Sequence, residues 1–554
     1  MSLTISYWPA DTGVPVLETT VGGVLRTVAA ERGSQDALVD GTPDRASRRR
    51  WTYERLLEDA ERVARALLAR FAPGERVAVW GPNTTEWVQL EYGAALAGLV
   101  LVTVNPAYRP SELRYVLGQS GAAGVFLLPE FRGNPMAESL AGVRPELPEL
   151  REAVLFTEWD GFCASGSPAE RLPGVTPDDA AQIQYTSGTT GFPKAALLSH
   201  RGITNNALLM TGRMGWRPGD VVVNPFPLFH CAGCVLGVLG AAQSRATLVP
   251  VVAFDPALYL ELMETHRATV TCGAPTMLIA AMEHPDRPGR DLSALRTVTS
   301  GGATVPVELV RNVEATLGVR FTIIFGQTEA SPCITGTHLD DTPEDKAETL
   351  GQPLPQTEVR IIDPATGETL PTGAVGELCT RGYLVMAGYY NMPEATADAI
   401  DAGAWLHTGD LASMDERGYC RIEGRLKDMI IRGGENIYPR EIEELLFTHP
   451  AVGDVAVVGV PDPKWGEEIA AFVRPAPGTS PTADDLFAFV RAHLAPYKAP
   501  KRWIFCDSFP TTPSGKVQKN VLRARLNEGG SGGGEAPRRG ARRRPEEEEA
   551  VAPS

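Results

Sequence analysis

Between residues 52 and 71 apolar side chains return with a helical period, Leu56, Leu57, Ala60, Val63, Ala64, Leu67 and Leu68 sharing one face. The spacing predicts an amphipathic helix there, then a short apolar strand at 76–80 closed by Gly81-Pro82-Asn83. A helix near 86–96, a strand at 99–104, the turn Asn105-Pro106, a helix around 111–120 and a strand at 124–128 follow. Residues 221–224, 247–252, 269–272, 297–300 and 320–324 read as further buried strands, with a helix at 256–267. Strands alternating with helices predict layered, parallel α/β sheets. Three of the later strands run into turns: Pro225-Phe226-Pro227-Leu228-Phe229-His230, Gly301-Gly302-Ala303-Thr304 and Phe325-Gly326-Gln327-Thr328-Glu329. Ligands collect beyond the carboxyl ends of strands in such sheets, so these turns are expected to form one site.

The rest of the chain has other textures. Residues 1–50 read as irregular and end in a basic run, Arg48-Arg49-Arg50, expected to be solvated. From about residue 358 short segments with β-like alternation and frequent Gly/Pro turns take over. The pattern resets at Asp428: a strand at 429–431, a Gly433-Gly434 turn, and a helix at 439–448 with Ile442, Leu445 and Leu446 on one face. Strands at 455–460 and 468–473, a helix at 483–493, a strand at 503–506 and a last helix near 517–525 complete a unit large enough to fold alone. Residues 527–554 combine a Gly/Ser linker, an arginine cluster and four successive glutamates, have almost nothing apolar to bury, and are expected to be disordered.

One polar stretch interrupts the apolar pattern. Thr186-Ser187-Gly188-Thr189-Thr190-Gly191 is six hydroxyl or glycine residues in a row, followed by Phe192-Pro193-Lys194. Glycines let successive N–H groups converge on one point, hydroxyls add donors, and Lys194 adds a compact positive charge. Those are the parts of a phosphate cradle, although the spacing fits neither the Walker loop nor a dinucleotide turn. A flexible, solvated surface loop is the alternative.

A chain of 554 residues suggests two or more domains. Its 43% hydrophobic and 22% charged content is that of a globular protein, and the longest apolar run, 93–104, is too short to span a bilayer. The first twenty residues lack the marks of a signal or transit sequence, so a cytoplasmic location is expected. A net charge of −16 excludes a general polyanion binder, nucleic acid included, and makes any phosphate site a local one. Eight scattered cysteines do not form a secreted disulfide framework. Cys231 and Cys234, after His230, lack nearby further ligands for zinc and read as small buried residues lining a pocket.

Taken in order, residues 185–200, Phe325-Gly326-Gln327-Thr328-Glu329, Thr408-Gly409-Asp410, Gly424-Arg425-Leu426-Lys427-Asp428 and Pro513-Ser514-Gly515-Lys516 resemble the motifs of the adenylate-forming superfamily of acyl-CoA synthetases, adenylation domains and luciferases. The resemblance runs from near residue 20 to about 526. Asn105-Pro106-Ala107-Tyr108, Pro227-Leu228-Phe229-His230 and the stretch 430–439 are most similar to medium- and long-chain fatty acyl-CoA synthetases. Ala195 departs from the glycine usual after the loop lysine, which bears on how freely the loop moves.

The resemblance implies a large multi-sheet α/β domain with a β-rich subdomain over 1–426, a hinge at 427–428, a small mobile α+β domain over 429–526, and the tail. It implies an acid–thiol ligase that joins a fatty acid to coenzyme A through an acyl-adenylate, with ATP and Mg²⁺. By the same resemblance Thr186, Ser187, Gly188, Thr189, Thr190, Gly191 and Lys194 hold the outer phosphates. Gly301, Gly302, Ala303, Phe325, Gly326 and Gln327 bound the adenine, while Asp410 and Arg425 take the ribose. Thr328, Glu329 and Lys516 are the implied catalytic residues, with Glu329 on the metal. Lys427 is the hinge, and Gly433 and Gly434 flank the coenzyme A passage. His230, Gly273 and Ala330 are expected along the acid pocket, where His230 either orients the carboxylate or gates the pocket, or is a structural histidine. Small, apolar residues around that pocket suit an alkyl chain. Peripheral membrane contact and a homodimer are compatible with the resemblance, and a transmembrane segment is not expected. A ligase loading a carrier protein and a 4-coumarate-type CoA ligase are alternatives. A non-catalytic nucleotide-binding protein is a third, against which the intact Lys194, Glu329, Asp410, Arg425 and Lys516 argue.

Overall fold

The apolar strands assemble into three sheets in the first part of the chain and one in the second. The computed structural model describes residues 2–186, 193–303, 305–432, 435–511 and 517–528. Its packing separates one unit, whose main segment ends at Met429, from another whose main segment is Ile430–Pro510. The expected disordered tail lies, beyond residue 528, outside the described residues.

In the first unit a seven-stranded sheet runs in the spatial order Gly388–Tyr389, Lys194–Ser199, Ala180–Thr186, Val100–Val104, Arg76–Trp80, Gly124–Leu127, Glu152–Leu155. Its last five strands are parallel, and Lys194–Ser199 turns back antiparallel on Ala180–Thr186. A nine-stranded sheet has Val221–Asn224, Val270–Cys272, Thr297–Gly301 and Arg320–Gly326 side by side and parallel, so their carboxyl ends share one edge. A five-stranded antiparallel sheet carries Tyr7–Trp8, Thr357–Ile362, Gly376–Gly382, Leu406–Met414 and Cys420–Arg425. This is the β-like alternation expected after residue 358.

Several helices start where a hydroxyl or carboxyl side chain satisfies one of their first N–H groups. Thr52 caps Tyr53–Leu68, Thr84 caps Thr85–Leu96 and Asp255 caps Pro256–Thr265. The first two helices press together closely enough that a Cβ on Gly93 would stand 2.4 Å from Val63 Cγ1. Both belong to the largest apolar cluster, which also takes Val77 and Leu101 from the seven-stranded sheet and Leu38, Val222 and Val270 from the nine-stranded one. The two large sheets therefore share one core.

Residues 1–50 are not irregular. They contribute the strands Tyr7–Trp8 and Asp36–Val39 and the helix Val21–Arg32, whose Val21, Val24, Leu25 and Val28 are buried. The helix escapes the sequence pattern because Gly22 and Gly23 weaken its start. Packing explains Gly22, since a Cβ there would meet Leu96 Cδ2 at 2.5 Å. Of the basic run, Arg49 and Arg50 stay exposed as expected, but Arg48 does not. Arg48 forms a two-pronged pair with Glu261 and has only 5% of its side chain exposed, and Arg49 binds Asp40 and Glu86.

The N-terminus of that helix rests on a fully buried histidine. His200 Nδ1 accepts the Val21 N–H at 3.3 Å, and burial pulls its pKa down to about 4. The folded protein therefore keeps His200 neutral, while the unfolded chain takes up a proton below about pH 6.5. Below that pH the unfolded state binds the extra proton, so stability falls between about pH 6.5 and 4, by at most about 1.4 kcal/mol per pH unit from this group. Urea midpoints measured across that window should fall with acidification, and less steeply in His200→Asn, where an amide oxygen can still accept from Val21.

The second unit is built on a long hairpin, Val452–Asp462 with Gly466–Pro475; the free edge of Gly466–Pro475 takes Ile430–Arg432, itself paired with Glu435–Ile437, at its start and Arg502–Phe505 further along. Helices Pro439–Phe447 and Ala483–His493 bury Ile442, Leu446, Leu486 and Val490 on its apolar face. Thr482 and Asp485 form a reciprocal cap on the second helix.

Candidate active site

The strand Ala180–Thr186 and its antiparallel neighbour place Thr186 opposite Lys194. Ser187, Gly188, Thr189, Thr190 and Gly191, in the connection between them, lie outside the described residues. Thr186 Oγ1 donates to Glu329 Oε1 at 3.2 Å, which joins the end of the seven-stranded sheet to the carboxyl edge of the nine-stranded one. Tyr389 donates its hydroxyl to the same oxygen at 2.8 Å, and the Lys194 ammonium stands 4.9 Å from the centre of the Tyr389 ring. Burial and the neighbouring Glu329 charge raise the Tyr389 phenol, so it remains a donor. Among the described residues Glu329 Oε2 carries no hydrogen bond. One oxygen of a largely buried carboxylate is thus fixed, and the chemistry of the other is that of a group that could take a hard cation.

Other residues singled out in the sequence lie on the elements around Glu329. Parallel pairing sets Gly301 beside Ile324, so the exposed turn Gly302-Ala303, with Gly302 at φ +77°, lies next to Phe325. Gly326 must be glycine, because a Cβ would sit 2.0 Å from the Pro332 carbonyl oxygen. Gln327 precedes the 3₁₀ turn Thr328–Ala330, and Thr328 Oγ1 lies 3.6 Å from Cys231 Sγ. Ala330 is fully buried. Gly273 follows its strand and is tied by Ser300 Oγ, which donates to its carbonyl at 2.9 Å. His230 is half-buried and caps the short helix Cys231–Gly233, with Nδ1 accepting the Ala232 N–H.

Asp410 and Arg425 face each other across neighbouring strands of the five-stranded sheet, Arg425 Nε to Asp410 Oδ1 at 2.9 Å, with Asp410 buried. Lys427 is in the 3₁₀ turn Leu426–Asp428. Gly433, Gly434 and Lys516 lie outside the described residues.

Three features escaped the sequence reading. Tyr389 gave no signal, because its two-residue strand and its reach to Glu329 are products of tertiary pairing. Glu377, whose carboxylate holds the backbone beside Asp410, looked like an ordinary strand residue. The surroundings of Cys234 are not purely apolar: Gln184 Nε2 donates to Cys234 Sγ and to Gln182 Oε1, and Gln182 donates to a fully buried Glu91. Burial holds the Glu91 carboxyl far above its ordinary range, so it is neutral there. Burial also raises the thiols of Cys234, Cys272 and Cys333.

Fold and site geometry together are those of an adenylate-forming enzyme. The AMP-binding enzyme family matches residues 25–390, and the AMP-binding enzyme C-terminal domain matches 441–516. The chain belongs to the AMP-binding enzyme family. YngI of Bacillus subtilis, named as an acyl-CoA synthetase, is 42% identical over 542 residues, covering 93% of this chain and 98% of its own. The human mitochondrial medium-chain acyl-CoA ligase ACSF2 is 35% identical over 558 residues, covering 94% and 90%. Among solved structures, ATP-bound MatB from Rhodopseudomonas palustris superposes with a TM-score of 0.83 at 30% identity, covering 92% of this chain and 99% of that one. The Mycobacterium tuberculosis fatty acyl CoA synthetase does so with 0.74 at 30% identity, covering 92% and 98%. The protein is an AMP-forming acid–CoA ligase, with ATP and coenzyme A among its substrates. No helix among the described residues is long and apolar enough to cross a membrane.

Proposed function

We propose that this ligase activates medium- to long-chain fatty acids in two steps. A carboxylate is a poor acyl donor, because its leaving group would be oxide. Attack of its oxygen on the α-phosphorus of ATP breaks the bond to the bridging oxygen, releases pyrophosphate and leaves an acyl-adenylate. The thiol of coenzyme A then attacks the carbonyl carbon, gives up its proton, and AMP departs. Displacement at phosphorus depends mostly on positioning and on neutralising charge.

The observation that carries the reading is the Glu329 carboxylate at the shared sheet edge, oriented by Thr186 and Tyr389. Its donor set fits Mg²⁺, which when bound would neutralise phosphate charge as pyrophosphate forms. Thr328 would hydrogen-bond the α-phosphate, and Lys194 with Thr186 and residues 187–191 would grip the outer phosphates. Phe325, Gly326, Gln327 and the 301–303 turn would bound the adenine, and Asp410 with Arg425 the ribose. Lys516 would neutralise charge at the reacting phosphate. Rotation about Lys427 would then exchange it for the Gly433-Gly434 segment, which would admit the pantetheine thiol.

Buried, small Cys231, Gly233, Gly237 and Ala241, which follow His230 in the chain, support an alkyl substrate, as do the names of ACSF2 and the M. tuberculosis relative. Acid-dependent ATP–pyrophosphate exchange over unbranched acids tests this. KM should fall roughly fourfold per added methylene while the pocket has room, the equivalent of about 0.8 kcal/mol each. 4-Coumarate should be a poor substrate, and free coenzyme A should yield thioester. Preference for 4-coumarate over decanoate would sink the reading.

A further inference from the structure

Asp410 is presented by an irregularity in the five-stranded sheet. Glu377 pairs with Leu411 and Cys379 with His407, so Leu378 alone faces Thr408, Gly409 and Asp410. The surplus residues bulge, Gly409 taking φ +69°. Bulges cost ladder hydrogen bonds and re-aim side chains, and here side chains replace the lost bonds. Thr408 Oγ1 donates to the Leu378 carbonyl at 2.6 Å and accepts the Asp410 N–H at 3.1 Å. The Gly409 N–H donates to Glu377 Oε1 at 3.0 Å.

Glu377 is 6% exposed, a costly place for a charge without a partner. Its other oxygen, Oε2, accepts from His407 Nδ1 at 2.8 Å. Hydrogen bonds to the Cys379 sulfur and to Glu377 push the His407 imidazole up to about 10, so it is an imidazolium at neutral pH. Glu377, Cys379 and His407 bring their donor atoms within 4.8 Å of one another, which raises the question of a metal. The 2.8 Å separation between His407 Nδ1 and Glu377 Oε2 is that of a hydrogen-bonded ion pair. Two ligands of tetrahedral zinc would stand about 3.3 Å apart.

We propose that Glu377 is a positioning residue for the nucleotide: its carboxylate plugs the bulge, fixes the Gly409 turn, and thereby aims Asp410 at both ribose hydroxyls, with His407 as its countercharge. The inference rests on the ribose role given to Asp410 above. Selectivity for ribose over deoxyribose then passes through a residue that never touches the nucleotide.

The test uses the intact enzyme and compares ATP with 2′-deoxy-ATP and 3′-deoxy-ATP in acid-dependent pyrophosphate exchange. Wild type should prefer ATP, and Asp410→Ala should lose that preference. Glu377→Ala should raise KM for ATP about tenfold, the worth of one charge-assisted hydrogen bond, and flatten the preference. Its kcat at saturating ATP should change by less than about twofold, because the reacting phosphate is untouched. Glu377→Gln keeps an oxygen for the Gly409 N–H and should retain most of the preference. The double variant should be no worse than Asp410→Ala, since both substitutions break one chain of contacts. Should Glu377→Ala fail to fold, His407→Asn should shift KM and preference in the same direction. A folded Glu377→Ala or His407→Asn with wild-type preference overturns the proposal, as do multiplying losses in the double variant. If Asp410→Ala itself keeps the preference, the ribose assignment fails and the inference with it.

Discussion

Replacing Lys516 with alanine should abolish acid-dependent ATP–pyrophosphate exchange, by a factor on the order of 10³, while leaving thioester formation from supplied acyl-adenylate within about threefold of wild type. The first step brings a carboxylate against a polyphosphate, and its transition state gathers negative charge on the α-phosphate oxygens. A fixed ammonium beside those oxygens stabilises the transition state more than the separated substrates, so its loss appears in kcat for that step. The second step begins after pyrophosphate has left and places the developing charge on a carbonyl oxygen instead. Lys516 stands at the end of the matched C-terminal domain, in a segment distinct from the one carrying Glu329. Quench-flow measurement of each half-reaction separates the two steps. Equal loss in both would contradict the assignment.

Glu329→Gln should also slow adenylation, by about a hundredfold, but with a different signature. The amide keeps the size of the side chain and an oxygen for Thr186 and Tyr389, which hold Oε1 in wild type. It lacks the charge that a hard cation requires, so half-saturation by Mg²⁺ should rise about tenfold. The Lys516→Ala enzyme should show no such shift. A Mg²⁺ titration of both variants under exchange conditions therefore assigns metal binding to one residue and charge neutralisation to the other. An unchanged Mg²⁺ dependence in Glu329→Gln would remove the metal role.

Much of the site was legible from the chain because its parts are local. Strands such as Arg320–Gly326 and Thr297–Gly301 announce themselves as apolar runs, and the turns at their carboxyl ends are contiguous in sequence. The edge they share follows from parallel pairing alone. What stayed hidden depends on partners far along the chain. Arg48 looks solvated until it is paired with Glu261, more than two hundred residues away. Tyr389 becomes part of the site only when its strand pairs with Lys194–Ser199. Gly22 and Gly23 disguise a helix because local propensity argues against it, whereas tight packing on Leu96 favours a glycine at 22. The surroundings of Cys234 were read as apolar from composition, which cannot show that Gln182 and Gln184, on the strand Ala180–Thr186, line up beside it.

The buried thiols near the site bear on chemoselectivity. An acyl-adenylate is a mixed anhydride that any nearby thiolate could capture, and capture by the enzyme's own cysteine would end turnover. The thiolate is the nucleophile, and desolvation keeps Cys234, Cys272 and Cys333 in the protonated form. If these residues wall the acyl pocket proposed above, their protonated state would discourage self-acylation and so favour delivery of the acyl group to the thiol that arrives from solution.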